Sequence, residues 1–238
     1  MKLDLLLFNT QDLYVFIDKY KGEDLETMDE ARWQCLSTSF FPNKPLQKIF
    51  SIKNIIEQAA PDVVMLVEVG GRQSLENFNR HFLGEKYIAL LEDSNSNRGI
   101  DVGFLCKKGR PGETFQLLNH SASELKDGLR FARGLFELRV YQDETLKCCL
   151  LLTHLKSKLN LKKEDFEGRS LRGAEVKFIA EHYQKLQDKH PDVPVCVCGD
   201  MNGIIYKNDT DEELKPFLET GLLDFLEILK APLEKRHS

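Results

Sequence analysis

Val193-Pro194-Val195-Cys196-Val197-Cys198-Gly199-Asp200-Met201-Asn202 is the stretch that decides how this chain folds. A short apolar run rich in β-branched residues follows Pro191, which stops the amphipathic segment before it. That pattern predicts a buried strand over Val193–Cys198. The run ends abruptly in Gly, Asp and Asn, residue types of turns and polar sites rather than strand interiors. The same shape recurs upstream. Val63 to Val67 is a continuous apolar strand that stops at Glu68, Leu3 to Phe8 stops at Asn9, and Leu146 to Leu152 leads to His154. Each polar residue alone could be a turn or capping residue. Four on four strand ends predict a shared rim, because strands of one sheet bring their ends together.

The surrounding chain alternates strands with amphipathic helices. Leu46, Ile49, Phe50, Ile52, Ile55, Ile56 and Ala59 follow helical spacing up to Pro61. Further helices are expected over Ser74–Phe82, Leu171–Lys189 and, broken at Gly221, Glu212–Leu229. Tyr87–Leu91, Val102–Cys106, Phe115–Leu118 and Leu135–Tyr141 read as strands, with Gln142-Asp143-Glu144 as a hairpin turn. Gln11–Lys44, Asp93–Arg98 and Lys156–Glu167 read as irregular or polar connections. The sum predicts an α/β fold, with stacked sheets and helices outside them.

Composition narrows the function. The 238 residues carry 33 Lys and Arg against 38 Asp and Glu, a net charge of −5. A strong non-specific nucleic-acid binder is not expected from that balance, although an enzyme with a local basic groove remains open. No run reaches the ~18 apolar residues of a membrane span. Asp4 interrupts the opening apolar run and no small-residue cleavage site follows, so the start reads as a first strand rather than a leader. The six cysteines form no C-x-x-C pair, which argues against a cysteine-based zinc or disulfide framework and for a reducing, cytoplasmic setting.

The rim residues share one chemistry. Asn, Glu and Asp supply hard oxygen ligands suited to Mg²⁺ or Mn²⁺, which often take one or two carboxylates plus substrate phosphate oxygens. A histidine beside them can donate to a phosphoryl oxygen, and Asp200 with Asn202 can orient a water. The sequence has no G-x-S-x-G, no H-E-x-x-H and no G-x-x-x-x-G-K-[ST].

These segments resemble the endonuclease/exonuclease/phosphatase superfamily. The resemblance runs from about Met1 to Asp224. It is carried by Phe8-Asn9, Pro61 to Val69, Arg98 to Leu105, Arg133-Gly134-Leu135, Thr153 to Lys158 and Gly199 to Gly203. It implies a four-layer sandwich of two mixed sheets flanked by helices, in one domain over residues 1–238. It implies a metal-dependent phosphodiesterase, foremost an endonuclease on DNA or RNA. A phosphatase or phospholipase on a small phosphoester, and a catalytically impaired binding protein, are the alternatives. By this resemblance Glu68 and Asn9 hold Mg²⁺ or Mn²⁺, and His154, Asp200 and Asn202 carry the chemistry. Arg98, Asp101 and Lys156 serve the substrate; Asp101 could orient His154, and Lys156 with Lys158 could line a phosphate track or simply face solvent.

One departure stands out. The family pattern continues with two strands carrying an Asp motif and a Ser-Asp-His motif, whereas this sequence stops at Lys235-Arg236-His237-Ser238. His237 follows Pro232 and a charged run, without the preceding aspartate. The expectation is a domain lacking the last C-terminal strands, with an open sheet edge available for association and weakened turnover. A fragment, an alternative terminus and a degenerate enzyme all remain open.

Overall fold

Two four-stranded mixed sheets face one another, and each carries helices on its outer side. The computed structural model describes residues 2–159, 165–206 and 209–230. In chain order the elements are β1 (Leu5–Leu13), α1 (Glu30–Gln34), α2 (Leu46–Ala59), β2 (Val63–Val69), α3 (Gly71–Phe82), β3 (Tyr87–Leu90), β4 (Asp101–Lys107), β5 (Glu113–Asn119), β6 (Leu135–Gln142), β7 (Thr145–His154), α4 (Arg169–Lys189) and β8 (Val195–Asp200). A two-stranded ribbon, β9 (Ile205–Tyr206) and β10 (Asp209–Thr210), and two short helices, α5 (Lys215–Glu219) and α6 (Phe225–Ile228), follow. The first sheet has the order β1-β2-β4-β3 and the second β5-β6-β7-β8. In each, the pair at one edge is parallel, β1 with β2 and β7 with β8, and the others are antiparallel.

Alternation along the strands sorts side chains between layers. Val63, Met65 and Val67 of β2 meet Leu138, Val140, Leu150 and Leu152 of the second sheet in the central core. Val64 and Leu66 face the other way, toward Ile49, Ile56, Leu75 and Phe78 of α2 and α3. Cys149 and Leu151 turn outward under α4, against Val176, Ile179 and Ala180. The cysteines are free, and Cys106, Cys148 and Cys149 are buried as small hydrophobes.

The hairpin turn and the break at Gly221 stand where the sequence places them, while residues 11–44 carry more order than expected. Residues 11–44 are not structureless: Leu13, Val15, Trp33 and Leu36 are fully buried, and β1 runs on to Leu13. The hairpin between β6 and β7 is a two-residue loop, Asp143-Glu144, with φ of 48° and 63°. Positive φ at both central residues matches the twist of the flanking strands. The last helical stretch breaks around Gly221 (φ 74°) into two short pieces, with Pro216 in the first turn of α5.

Among the described residues, β1 and β8 each have one unpaired edge, and the two strands lie near each other. Leu5 and Leu7 pair with Val63 and Met65, so they belong to the central-core face, yet they are 40% and 39% exposed. Among the described residues nothing pairs with those edges of β1 and β8; residues 231–238, with His237, lie outside the described residues. No helix among the described residues is long and apolar enough to cross a membrane.

Candidate active site

Backbone irregularities aim the rim side chains. Register shifts interrupt the β1–β2 ladder between Asn9 and Leu13 and the β2–β4 ladder between Val67 and Val69. Glu68 sits inside the second shift with φ 62°, a left-handed conformation that a side chain adopts only at some cost. The Thr10 hydroxyl ties the two irregular strands together by donating to Val67 O at 2.7 Å and Glu68 O at 3.0 Å. Asn9 and Glu68 are thus presented by bulges within strands rather than by strand ends, and bulges re-aim side chains. His154 and Asp200 do terminate strands, paired across the parallel β7–β8 ladder.

Gly199 makes that pairing possible. Its φ is +141°, and a Cβ there would lie 1.8 Å from Thr153 O. Only glycine lets β8 approach β7 this closely at its last residues.

The structure brings five expected residues together. His154 Nε2 lies 3.9 Å from Glu68 Oε1 and 3.9 Å from Asp200 Oδ2. Asn9 Nδ2 donates to Asp200 Oδ2 at 3.1 Å, while the Asn202 backbone N–H donates to Asp200 Oδ1 at 2.9 Å. Asn202 Nδ2 donates to Leu155 O at 3.0 Å, which fixes the loop after β7. Among the described residues nothing donates a hydrogen bond to the Glu68 carboxylate. His154 is 3% exposed, and its Nδ1 has no partner among the described residues. Burial, with the nearby charges of Arg133 and Arg98, pushes its pKa down to about 3, against the pull of Asp200. The imidazole is neutral at pH 7.

The three expected substrate contacts stand differently. Arg98 grips the Asp12 carboxylate through both oxygens, at 2.8 and 2.9 Å, and lies at the margin of the site. Asp101 is buried and accepts from the Ser94 hydroxyl; burial raises its pKa, and it makes no hydrogen bond to His154. The Lys156 ammonium donates to Ser157 O at 2.9 Å and Leu159 O at 2.7 Å, carbonyls of its own loop.

One site residue had no assigned role in the sequence reading. Arg133 donates to Leu155 O at 3.1 Å, and its charge acts on Glu68, Asp200 and His154. Its place in a short Arg-Gly-Leu stretch before β6 was the only sequence signal. Behind it, α4 contributes two buried charges. Glu175 accepts the backbone N–H of Ala132 and of Lys156, each at 2.7 Å. Arg172, fully buried, donates to Lys156 O and Glu167 O and pairs with Glu213. Together they lock the loop that carries Arg133 and the loop that follows His154.

The donor set fits a hard divalent cation. Glu68 offers an unengaged carboxylate, Asp200 is fixed by one donor on each oxygen, and both carboxylates lie 3.9 Å from one imidazole nitrogen.

No protein-family model matches the chain, and no curated protein is significantly similar in sequence. Solved structures do resemble it. A D. rerio TDP2 in complex with a single-stranded DNA product is 15% identical, covering 97% of this chain and 71% of that one, with a TM-score of 0.54. A mannosyl-6-phosphatase of Bacteroides thetaiotaomicron is 12% identical, covering 92% and 71%, with a TM-score of 0.54. An endonuclease/exonuclease/phosphatase family protein of the same organism is 12% identical, covering 92% and 69%, with a TM-score of 0.51. The chain spans 57% of the truncated Caenorhabditis elegans TDP2 that it also matches, at a TM-score of 0.47. The three likenesses with TM-scores above 0.5 show the fold, one that this chain shares with a protein described as an endonuclease/exonuclease/phosphatase family member.

Proposed function

We propose that the chain is a phosphoester hydrolase dependent on Mg²⁺ or Mn²⁺, with its centre at Asn9, Glu68, His154, Asp200 and Asn202, acting on nucleic acid. The observation that carries this reading is His154 Nε2 placed 3.9 Å from two carboxylates on different sheets, Glu68 and Asp200. Two carboxylates that converge on a histidine which does not neutralise them are costly to hold for structure alone and suit a site that meets anionic substrate through a cation.

Glu68 and Asn9 would hold the ion. When bound, it would polarise the phosphoryl group and stabilise the leaving oxygen. Asp200, fixed by Asn9 and the Asn202 N–H, keeps lone pairs free to orient water. Neutral His154 donates from Nε2 to a phosphoryl oxygen, and Arg133 adds positive charge where the transition state gathers negative charge.

The nucleic-acid assignment draws on the TDP2 likeness and on Arg98 at the margin. A second reading, a phosphatase on a small phosphoester, has its own support. Three cations near the rim are already committed: Arg98 to Asp12, Lys156 to carbonyls and Lys158 to Asp211. A long phosphate track needs them uncommitted.

The test is hydrolysis by metal-stripped protein of supercoiled plasmid, single-stranded DNA, RNA, a chromogenic phosphodiester and a phosphomonoester, each with Mg²⁺, Mn²⁺ or chelator. Metal-dependent cleavage of a nucleic acid, lost in Glu68→Gln, is expected. Cleavage of the monoester alone would favour the second reading, and no metal-dependent hydrolysis would remove both.

A further inference from the structure

A second group of metal-binding side chains lies on the other face of the second sheet. Glu137 of β6 pairs in register with Leu151 of β7, so its side chain shares the face beneath α4. His154, three residues beyond Leu151, points to the alternate face. Over Glu137 sit His182 of α4 and His120, which follows β5. His182 Nε2 is 2.7 Å from Glu137 Oε2, and His120 Nε2 is 3.1 Å from the same oxygen. The two rings are 4.5 Å apart between centroids. Among the described residues this is the one trio of His, Cys, Asp or Glu whose ligating atoms all lie within 4.8 Å of one another.

We infer that His120, Glu137 and His182 form a binding site for Zn²⁺ or a like transition-metal ion, separate from the Glu68 centre. Two imidazole nitrogens and one carboxylate oxygen are a known zinc donor set, with bonds near 2.0–2.2 Å and a fourth position left for water. Tetrahedral ligands at such distances stand roughly 3.3 Å apart, so ligand shifts well under 1 Å would admit the ion. Both histidines aim the same atom, Nε2, at one oxygen, and an ion would replace the protons that now bridge them.

The supporting contacts are in place. Arg139 Nε donates to Glu137 Oε1 at 2.5 Å, which leaves Oε2 as the single ligating oxygen. The His120 backbone N–H donates to Leu135 O at 2.9 Å, and Phe178 stacks on the His182 ring. Glu137 is fully buried, whereas the His120 and His182 side chains are 22% and 18% exposed, so the open side faces solvent. Nitrogen ligands select against Mg²⁺, so the two centres sort their ions by chemistry.

The test uses the full chain, stripped with chelator and then held in excess Mg²⁺ to occupy the hard site. Co²⁺ serves as the probe, read by its visible absorption, with Zn²⁺ as competitor. One equivalent of Co²⁺ should bind with the intense bands of low coordination number and be displaced by Zn²⁺. Glu68→Gln should leave those bands unchanged. His182→Ala and His120→Ala should each abolish them, with circular dichroism confirming the fold. His120 lies outside the helices and strands, so its variant keeps the test open if His182→Ala fails to fold. No Co²⁺ bands in the wild-type chain, or bands retained in either folded histidine variant, would overturn the site.

Discussion

The two histidine–carboxylate groups of this molecule use the same residue types and are built in opposite ways. At the rim, His154 stands 3.9 Å from Glu68 and Asp200, too far for a hydrogen bond to either. Under α4, Glu137 is enclosed at 2.5–3.1 Å by Arg139, His182 and His120. The rim spends backbone strain at Glu68 and leaves acceptors unengaged. The α4 face satisfies both oxygens of one buried acid. Strain and unclaimed lone pairs suit the ion and substrate proposed for the rim, while the network under α4 is closed on one buried acid, holds two layers together and would admit an ion only in exchange for its bridging protons.

Substitutions at the rim give the largest expected effects. Glu68→Gln, Asp200→Asn and His154→Ala should each lower metal-dependent hydrolysis by at least ~10²-fold, the size of a lost acid–base or transition-state contact. Thermal midpoints should move little for the two acids, because the amides keep their shape and an Asn at 200 keeps an acceptor for the Asn202 N–H. A folded variant with full activity would take its residue out of the catalytic set.

Breaking the α4 network should do the reverse. Glu137→Ala leaves Arg139 unpaired and two imidazoles without their acceptor, a loss of about 3 kcal/mol. For a domain of this size that is a fall of roughly 6–12 °C in Tm. Activity per folded molecule at low temperature should persist. If Tm held and activity vanished instead, the division between a working rim and a holding face would be wrong.

That Asn9, Glu68, His154, Asp200 and Asn202 meet was legible in the sequence, because each polar residue follows an apolar run; that Asn9 and Glu68 sit at bulges inside strands rather than at strand ends was not. The layers were legible for the same reason, through alternation and helical spacing. The left-handed φ of Glu68 was not, since nothing in Leu-Val-Glu-Val signals a bulge. Arg172 and Glu175 also escaped. On a helix with mixed polarity, charges read as solvent-facing, and only tertiary contact reveals them as buried anchors for the loops at 131–134 and 155–156. Glu137 carried a faint signal, a lone acid among Leu135, Phe136 and Leu138. Its partners lie 17 and 45 residues away, beyond any local pattern.

Glu175 connects the two regions, and its titration offers a smaller, signed test. Burial pushes its carboxyl up from 4.5 to about 7, against the Ala132 and Lys156 N–H donors and the charges of Arg133 and Arg172. Between those pH values the folded chain holds a proton that the unfolded chain has released. Stability from this group is therefore full below pH 4.5 and is lost as pH rises through about 7. His154, pushed down from 6.5 to about 3, acts with the opposite sign and costs stability as pH falls below 6.5. Urea midpoints for wild type and Glu175→Gln, taken across this range, isolate the first slope in their difference. A difference independent of pH would mean that Glu175 stays ionised and anchors the loops as a charge.

The smallest effect is expected at Arg98, on the margin of the rim. Its pair with Asp12 is solvent-exposed, 59% and 41% for the two side chains, so its loss should cost less than ~1 kcal/mol of stability. If the guanidinium leaves Asp12 to meet a substrate phosphate remote from the scissile bond, it contributes equally in ground and transition states. Arg98→Ala should then raise KM by up to ~10-fold and leave kcat unchanged. Arg98→Lys should recover part of that, keeping the charge but losing the two-pronged fork. Kinetics on single-stranded DNA at two salt concentrations would separate the cases, because losing a phosphate contact also flattens the salt dependence of binding. An equal fall in kcat and kcat/KM would instead place Arg98 against the reacting phosphate, inside the working rim beside Arg133.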